Sequence, residues 1–288
     1  MFSQERKGLM NFTEKVQLVQ KKMKSYVCVG LDTDINRIPK SIIGKCAKRI
    51  VLFNRDIIEA TAEYVCAFKF NSAFYEAAGV PGIEALMESI SIVPQGVLKI
   101  LDVKRGDIGN TAEQYATAAF ERFSVDAATI NPYLGMDSIK PFLNYKTKGV
   151  FVLCLTSNPG SNDFQQLTLS DGKPLYIAVA QKMQEYNLLG NLGLVVGATH
   201  PEELADIRAA APDMPFLIPG IGAQHGNVEK TVRAGIGKNN APIIINASRS
   251  IIYASSDSDF LKAAQVQCRK LRDEIHSIVE ATFSKDTQ

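Results

Sequence analysis

The chain has 288 residues, 46% of them hydrophobic, which is ample material for a core and close to the size of one (β/α)8 barrel. A formal net charge of +2, with no block of like charge, lacks the basic footprint of a nucleic-acid binder. The five cysteines (Cys28, Cys46, Cys66, Cys154, Cys268) are odd in number and have no CxxC spacing, and the three histidines (His200, His225, His276) lie far apart, so neither a disulfide framework nor a metal cluster is expected.

At the amino terminus, Glu5, Arg6 and Lys7 precede a mixed segment with no secretory apolar region, and Lys21, Lys22 and Lys24 read as the exposed face of a helix. No run approaches a membrane span, so a cytoplasmic protein with no membrane partner is expected. Eight short β-rich runs then follow: Tyr26–Asp32, Cys66–Phe70, Val97–Val103, Ala127–Ile130, Val150–Leu155, Gly193–Ala198, Pro215–Pro219 and Ile243–Ala247. Their apolar residues are continuous rather than alternating, as in strands covered on both faces. Cys28, Cys66 and Cys154 fall inside these runs, where a reduced thiol acts as a small hydrophobe. The intervals include helix-rich stretches such as Thr111–Arg122 and Glu202–Ala211. No GxGxxG follows the first run, and no linker or composition shift marks a second domain. The expected fold is α/β, a single TIM barrel occupying residues 1–288 as one domain. The longest irregular stretch, Ser157–Pro174, has the length of an active-site loop.

In such a barrel, catalytic groups come from the carboxyl ends of the strands, and unusual residues collect there. Asp32 ends the first run, Lys69 lies in the second, and the third leads into LDVKRGDIGNT, Leu101–Thr111. Asp102 and Lys104 have same-face strand spacing, and Asp107 and Thr111 follow in a βα loop. Alternating charges beside an apolar run are costly to bury unless they satisfy one another. Thr156 and Ser157 end the fifth run, PGIGAQ follows the seventh, and Asn246, Ser248 and Arg249 stand at the eighth. Singly, Asp32 reads equally as a helix cap, Ser157 as a turn former and Arg249 as a surface ion pair. Gly220 and Gly222 let backbone N–H groups approach an anion that Arg249 could pair bidentately, at the loops where this fold commonly binds phosphate.

Six segments together resemble the orotidine 5′-monophosphate decarboxylase family, and within it the longer bacterial subgroup. They are GLD (Gly30–Asp32), FKFNSAFYE (Phe68–Glu76), DVKRGDIGNT (Asp102–Thr111), LTSNPGS (Leu155–Ser161), PGIGAQ (Pro219–Gln224) and SRSIIY (Ser248–Tyr253). Two positions depart from the family's pattern: Ser248 precedes the arginine where many members have glycine, and His225 follows GAQ where glycine is frequent. The resemblance implies conversion of orotidine 5′-monophosphate to uridine 5′-monophosphate and carbon dioxide, the last step of de novo pyrimidine synthesis, without metal or organic cofactor. It implies that Lys104 stabilises charge at C6 and supplies the proton, that Asp102 lies near the substrate carboxylate, and that Lys69 positions Asp102 and a ribose hydroxyl. Asp32 would accept from the ribose, Ser157 would read the pyrimidine edge, Pro219 would line the substrate, and Gln224 with Arg249 would hold the phosphate. It further implies a homodimer in which Asp107 and Thr111 reach the neighbouring site.

Other readings compete at this level. Sugar-phosphate decarboxylases or aldolases share the barrel and a DxKxxD-like run but use magnesium, and sensitivity to EDTA would separate them. A Schiff-base aldolase with Lys104 as nucleophile wants a depressed lysine pKa, whereas flanking carboxylates favour the charged form; borohydride trapping with substrate would decide. An inert barrel that senses pyrimidine monophosphates could keep Asp32, Gln224 and Arg249, but would have no need of the charged cluster.

Overall fold

The computed structural model describes residues 10–221, 227–237 and 240–284. Among these, eight parallel strands form a closed barrel: β1 (Val27–Gly30), β2 (Ala67–Asn71), β3 (Leu98–Arg105), β4 (Ala127–Ile130), β5 (Gly149–Leu155), β6 (Leu192–Val196), β7 (Phe216–Pro219) and β8 (Ile243–Ala247). The strands pair in chain order, and β8 returns onto β1 through Cys28 and Asn246. Each expected run overlaps its strand, with the ends differing by at most two residues; β2, β3, β5 and β6 extend one or two residues beyond the expected bounds. The helical stretches hold as well: one helix covers Pro201–Ala210, while the other begins at Gly109, is α-helical to Thr117 and widens into a π segment over Ala118–Arg122.

Two apolar layers hold this architecture. Outward-facing strand residues such as Phe68, Phe70, Leu101 and Ile130 pack under the surrounding helices. Inward-facing residues, among them Cys28, Ile100, Phe151, Val195, Leu217 and Ile244, fill the lower barrel. Its amino-terminal mouth is plugged by the helix Phe12–Met23, whose start is secured by a capping box between Asn11 and Glu14. Phe12 is fully buried and meets Phe151 edge-on at 5.7 Å, a burial worth about 2–3 kcal/mol. The opposite face of that helix leaves Lys21 and Lys22 exposed, and Lys24 is exposed just after it.

Cys28, Cys66, Cys154 and Cys268 are buried free thiols and Cys46 is an exposed one. Burial pushes the Cys66 thiol up to about 12, so it serves as packing rather than as a nucleophile. Among the described residues no helix is long and apolar enough to cross a membrane, and no three His, Cys, Asp or Glu side chains converge as metal ligands. The stretch 157–174 is less irregular than expected. It contains a 3₁₀ turn at Pro159–Asp163 and a bridge from Thr168 to Pro174, and Gln165 folds back onto the Thr156 N–H at 2.7 Å.

Candidate active site

Strand parity builds the site. Ala67, Ile100, Ala127 and Ile244 point into the barrel, so the residues two further along, Lys69, Asp102, Thr129 and Asn246, point the same way one layer higher. All four are polar, all are buried, and all line one cavity of about 200 Å³ at the carboxyl ends of the strands. The apolar plug below and the polar layer above are thus the same face of the same strands.

A chain of ion pairs runs across this layer. Lys69 Nζ donates to Asp32 Oδ1 at 3.2 Å and to Asp102 Oδ2 at 3.0 Å, and Lys104 Nζ donates to Asp102 Oδ1 at 2.6 Å. Burial alone would lower the pKa of Lys69, but the carboxylates of Asp102 and then Asp32 outweigh it and hold the ammonium well above its ordinary range. Burial would likewise raise Asp102; Lys69 and Lys104 outweigh it and hold the carboxyl well below its ordinary value. Both charges therefore persist across neutral pH. Their exposure differs sharply: the Lys69 and Asp102 side chains are 5% and 10% exposed, and that of Lys104 is 46% exposed.

Lys104 reaches Asp102 by a less regular route than plain strand spacing. The β3–β4 ladder pairs Leu101 with Ala128 and resumes at Arg105 with Ile130, so a bulge intervenes. Within it Lys104 adopts φ +46°, a left-handed conformation that costs an L-residue roughly 1–2 kcal/mol. Strain of this kind persists where surrounding contacts over-determine it, and such positions cluster at functional sites.

The other expected residues divide into three groups. Asp32, Ser157, Pro219, Gly220 and Arg249 line the cavity beside the charged chain, and Gly220 has φ +104°, which favours glycine. Asp32 is not a helix cap; that role falls to Asp34, which accepts from the Asn36 N–H. Asp107 and Thr111 are outside the cavity lining. Asp107 accepts from the N–H of its own neighbour Ile108 at 2.8 Å, so within one chain it does not flank Lys104 in an ion pair. Gln224, Gly222 and His225 lie outside the described residues.

Residues 25–264 match the family model described as Orotidine 5'-phosphate decarboxylase / HUMPS family. The chain belongs to that family. It is 47% identical over 273 residues to an orotidine 5'-phosphate decarboxylase of Roseiflexus castenholzii, covering 94% of this chain and all of that protein. A decarboxylase of the same name from Ralstonia pickettii is 48% identical over 269 residues, covering 93% of this chain and 98% of the relative. Among solved structures, the OMP decarboxylase of Leishmania donovani superposes with a TM-score of 0.82 at 41% identity, covering 93% of this chain and 98% of the other.

The departure from the family's pattern at Ser248 has a visible structural partner. A Cβ at Gly30 would overlap Ser248 Oγ and lie 3.2 Å from Asn246 Oδ1, so the glycine of GLD makes room for the end of β8. Among the cavity residues with no role in the sequence-based assignment, two are polar and buried: Thr129, inside the unremarkable run AATI, and Asn246. Asn246 donates weakly to Ser248 Oγ at 3.4 Å, and its buried Oδ1 has no hydrogen-bond partner. Period-two counting forward from the inward-facing apolar residues is the signal that finds both.

Proposed function

We infer that this chain decarboxylates orotidine 5′-monophosphate to uridine 5′-monophosphate and carbon dioxide, the last step of de novo pyrimidine synthesis, with no metal or organic cofactor. The observation that carries the reading is the ion-paired run Asp32–Lys69–Asp102–Lys104 opening onto the cavity at the carboxyl ends of the strands. Loss of carbon dioxide from C6 leaves an electron pair on an sp² carbon with no adjacent carbonyl to delocalise it. Lys104, the exposed cation of the run, stabilises that pair and then transfers its proton to C6. Asp102 stands near the departing carboxylate, a like-charge contact relieved as the neutral product leaves. Lys69, buried between two carboxylates, holds Asp102 in place and reaches a ribose hydroxyl.

The remaining roles follow the cavity's outline. Asp32 accepts from the ribose, Ser157 reads the pyrimidine edge, Pro219 lines the ring, and Arg249 holds the phosphate; a share of the phosphate for Gln224, outside the described residues, rests on the family resemblance alone. The 2.6 Å bond from Lys104 to Asp102 weighs against a Schiff-base role, which needs a neutral amine. A cytoplasmic location belongs to the same reading and is supported by the free thiols.

The reading includes a homodimer in which Asp107 and Thr111 complete the partner's cavity. Support comes from their position off their own cavity, and from Ile108, Tyr133 and Leu134, apolar residues 54%, 85% and 48% exposed on the adjoining loops after β3 and β4. Mixing purified protein with orotidine 5′-monophosphate should bleach the substrate's ultraviolet absorbance at the same rate with and without EDTA. No change in absorbance would sink the assignment, and a rate abolished by EDTA would sink its cofactor-free form.

A further inference from the structure

We propose that Thr129 is a positioning residue for this decarboxylation: its hydroxyl ties the backbone of Lys104 to the Asp102 carboxylate and so sets where the Lys104 ammonium stands. The proposal rests on the reading above and adds a residue to it. Between Leu101 and Arg105 on β3 stand three residues, and between their partners Ala128 and Ile130 on β4 stands one, Thr129. The bulge therefore interrupts the ladder at the very position of Lys104, whose N–H would otherwise lack an acceptor in a largely buried strand. Thr129 Oγ1 accepts that N–H at 2.9 Å. Its own proton then goes to Asp102 Oδ1, also at 2.9 Å.

The same Asp102 oxygen receives Lys104 Nζ at 2.6 Å, so a closed ring runs from the Lys104 backbone through the Thr129 hydroxyl and the Asp102 carboxylate to the Lys104 ammonium. The direction of the hydroxyl is settled by the ring. An N–H can only donate to it, leaving its single proton for the carboxylate. Thr129 is 1% exposed and lines the cavity floor, where no water is needed to complete the ring. Two consequences follow. The strained φ of Lys104 is held by a side chain rather than by the ladder. When the ammonium turns from Oδ1 toward C6, Asp102 keeps the Thr129 bond and its ion pair with Lys69, and does not follow.

Because this ring orients the proton donor rather than gripping the substrate, its loss should fall on kcat. Thr129→Val is close to isosteric but has no hydroxyl, whereas Thr129→Ser keeps the hydroxyl and loses only a methyl. For Thr129→Val we expect kcat to fall about 100-fold, KM for orotidine 5′-monophosphate to stay within about threefold of wild type, and the Lys104 amide to exchange with deuterium faster. Thr129→Ser should stay within about fivefold of wild type on kcat, with the Lys104 amide still protected. If the valine variant does not fold, Thr129→Ala carries the same expectations. Full turnover by the hydroxyl-free variant, or equal impairment of the serine and hydroxyl-free variants, would overturn the proposal. Failure of wild type to turn over the substrate at all would instead overturn the assigned reaction; amide exchange at Lys104 still reads the ring, and unchanged protection without the hydroxyl rejects it.

Discussion

At the scale of single residues, the two lysines differ in burial, and the proposed roles rest on that difference. Lys69, almost wholly enclosed between Asp32 and Asp102, cannot change protonation state cheaply, while Lys104 shares only Asp102 and faces the cavity. On the proposed assignment Lys104→Ala removes both the charge opposite the incipient carbanion and the proton, so kcat should drop by several orders of magnitude while affinity for uridine 5′-monophosphate changes little. A variant retaining a tenth of normal turnover would show that another group is the acid. Asp102 makes a separate prediction about stability. Its folded pKa lies below the ordinary 3.8, so the stability it contributes is fully present above that value and is lost as pH falls below it. Lys69 is raised above its ordinary 10.5, so its contribution is lost only as pH climbs past that value. Asp102→Asn, which strips Lys69 of its nearest counter-charge, should therefore destabilise by about 3 kcal/mol, evenly from about pH 5 to about pH 9, with the gap to wild type narrowing below about pH 4. Thermal melts across this range test it; a gap that widens on acidification would contradict the ionised Asp102. These two lysines and the aspartate were legible in the sequence because charges at the end of apolar runs are conspicuous. Thr129 was not, because a threonine within AATI is also what any β-strand prefers.

At the scale of elements, the strands were read from continuous apolar runs, and that worked because parallel barrel strands are covered on both faces. What the runs do not encode is register. The β3–β4 bulge and the left-handed φ of Lys104 arise from how two strands meet, and no pattern in either strand alone announces them. The same holds where β8 meets β1. Gly30 and Ser248 are far apart in sequence, yet the glycine's missing side chain is the space the serine occupies. Gly30→Ala should cost about 1–3 kcal/mol by forcing the end of β8, and with it Arg249, outward, and it should raise KM more than it lowers kcat. Adding Ser248→Gly should recover most of both losses, because the overlap is chiefly with the serine side chain. A double variant no better than Gly30→Ala alone would place the obstruction on Asn246 or the backbone instead.

At the scale of the whole molecule, the barrel brings Asp32, Lys69, Asp102 and Lys104 together within one chain and leaves Asp107 on an exposed loop bonded to its own backbone. Such a placement gives the residue nothing to do for its own cavity, whereas a two-fold partner could receive it beside exposed Ile108, Tyr133 and Leu134. If Asp107 works across that interface, each complete site takes Lys104 from one chain and Asp107 from the other. Lys104→Ala and Asp107→Ala homodimers are then both defective, but in a mixed dimer one site collects both lesions and the other collects neither. Random exchange of equal amounts makes about half the dimers mixed, each with one intact site, so activity should rise toward about a quarter of wild type. Exchange is verified first by co-purification of an untagged chain with a tagged one. Exchange without recovered activity would confine Asp107 to its own chain and remove the shared site from the mechanism, while leaving the charged run of Lys69, Asp102 and Lys104 as it stands.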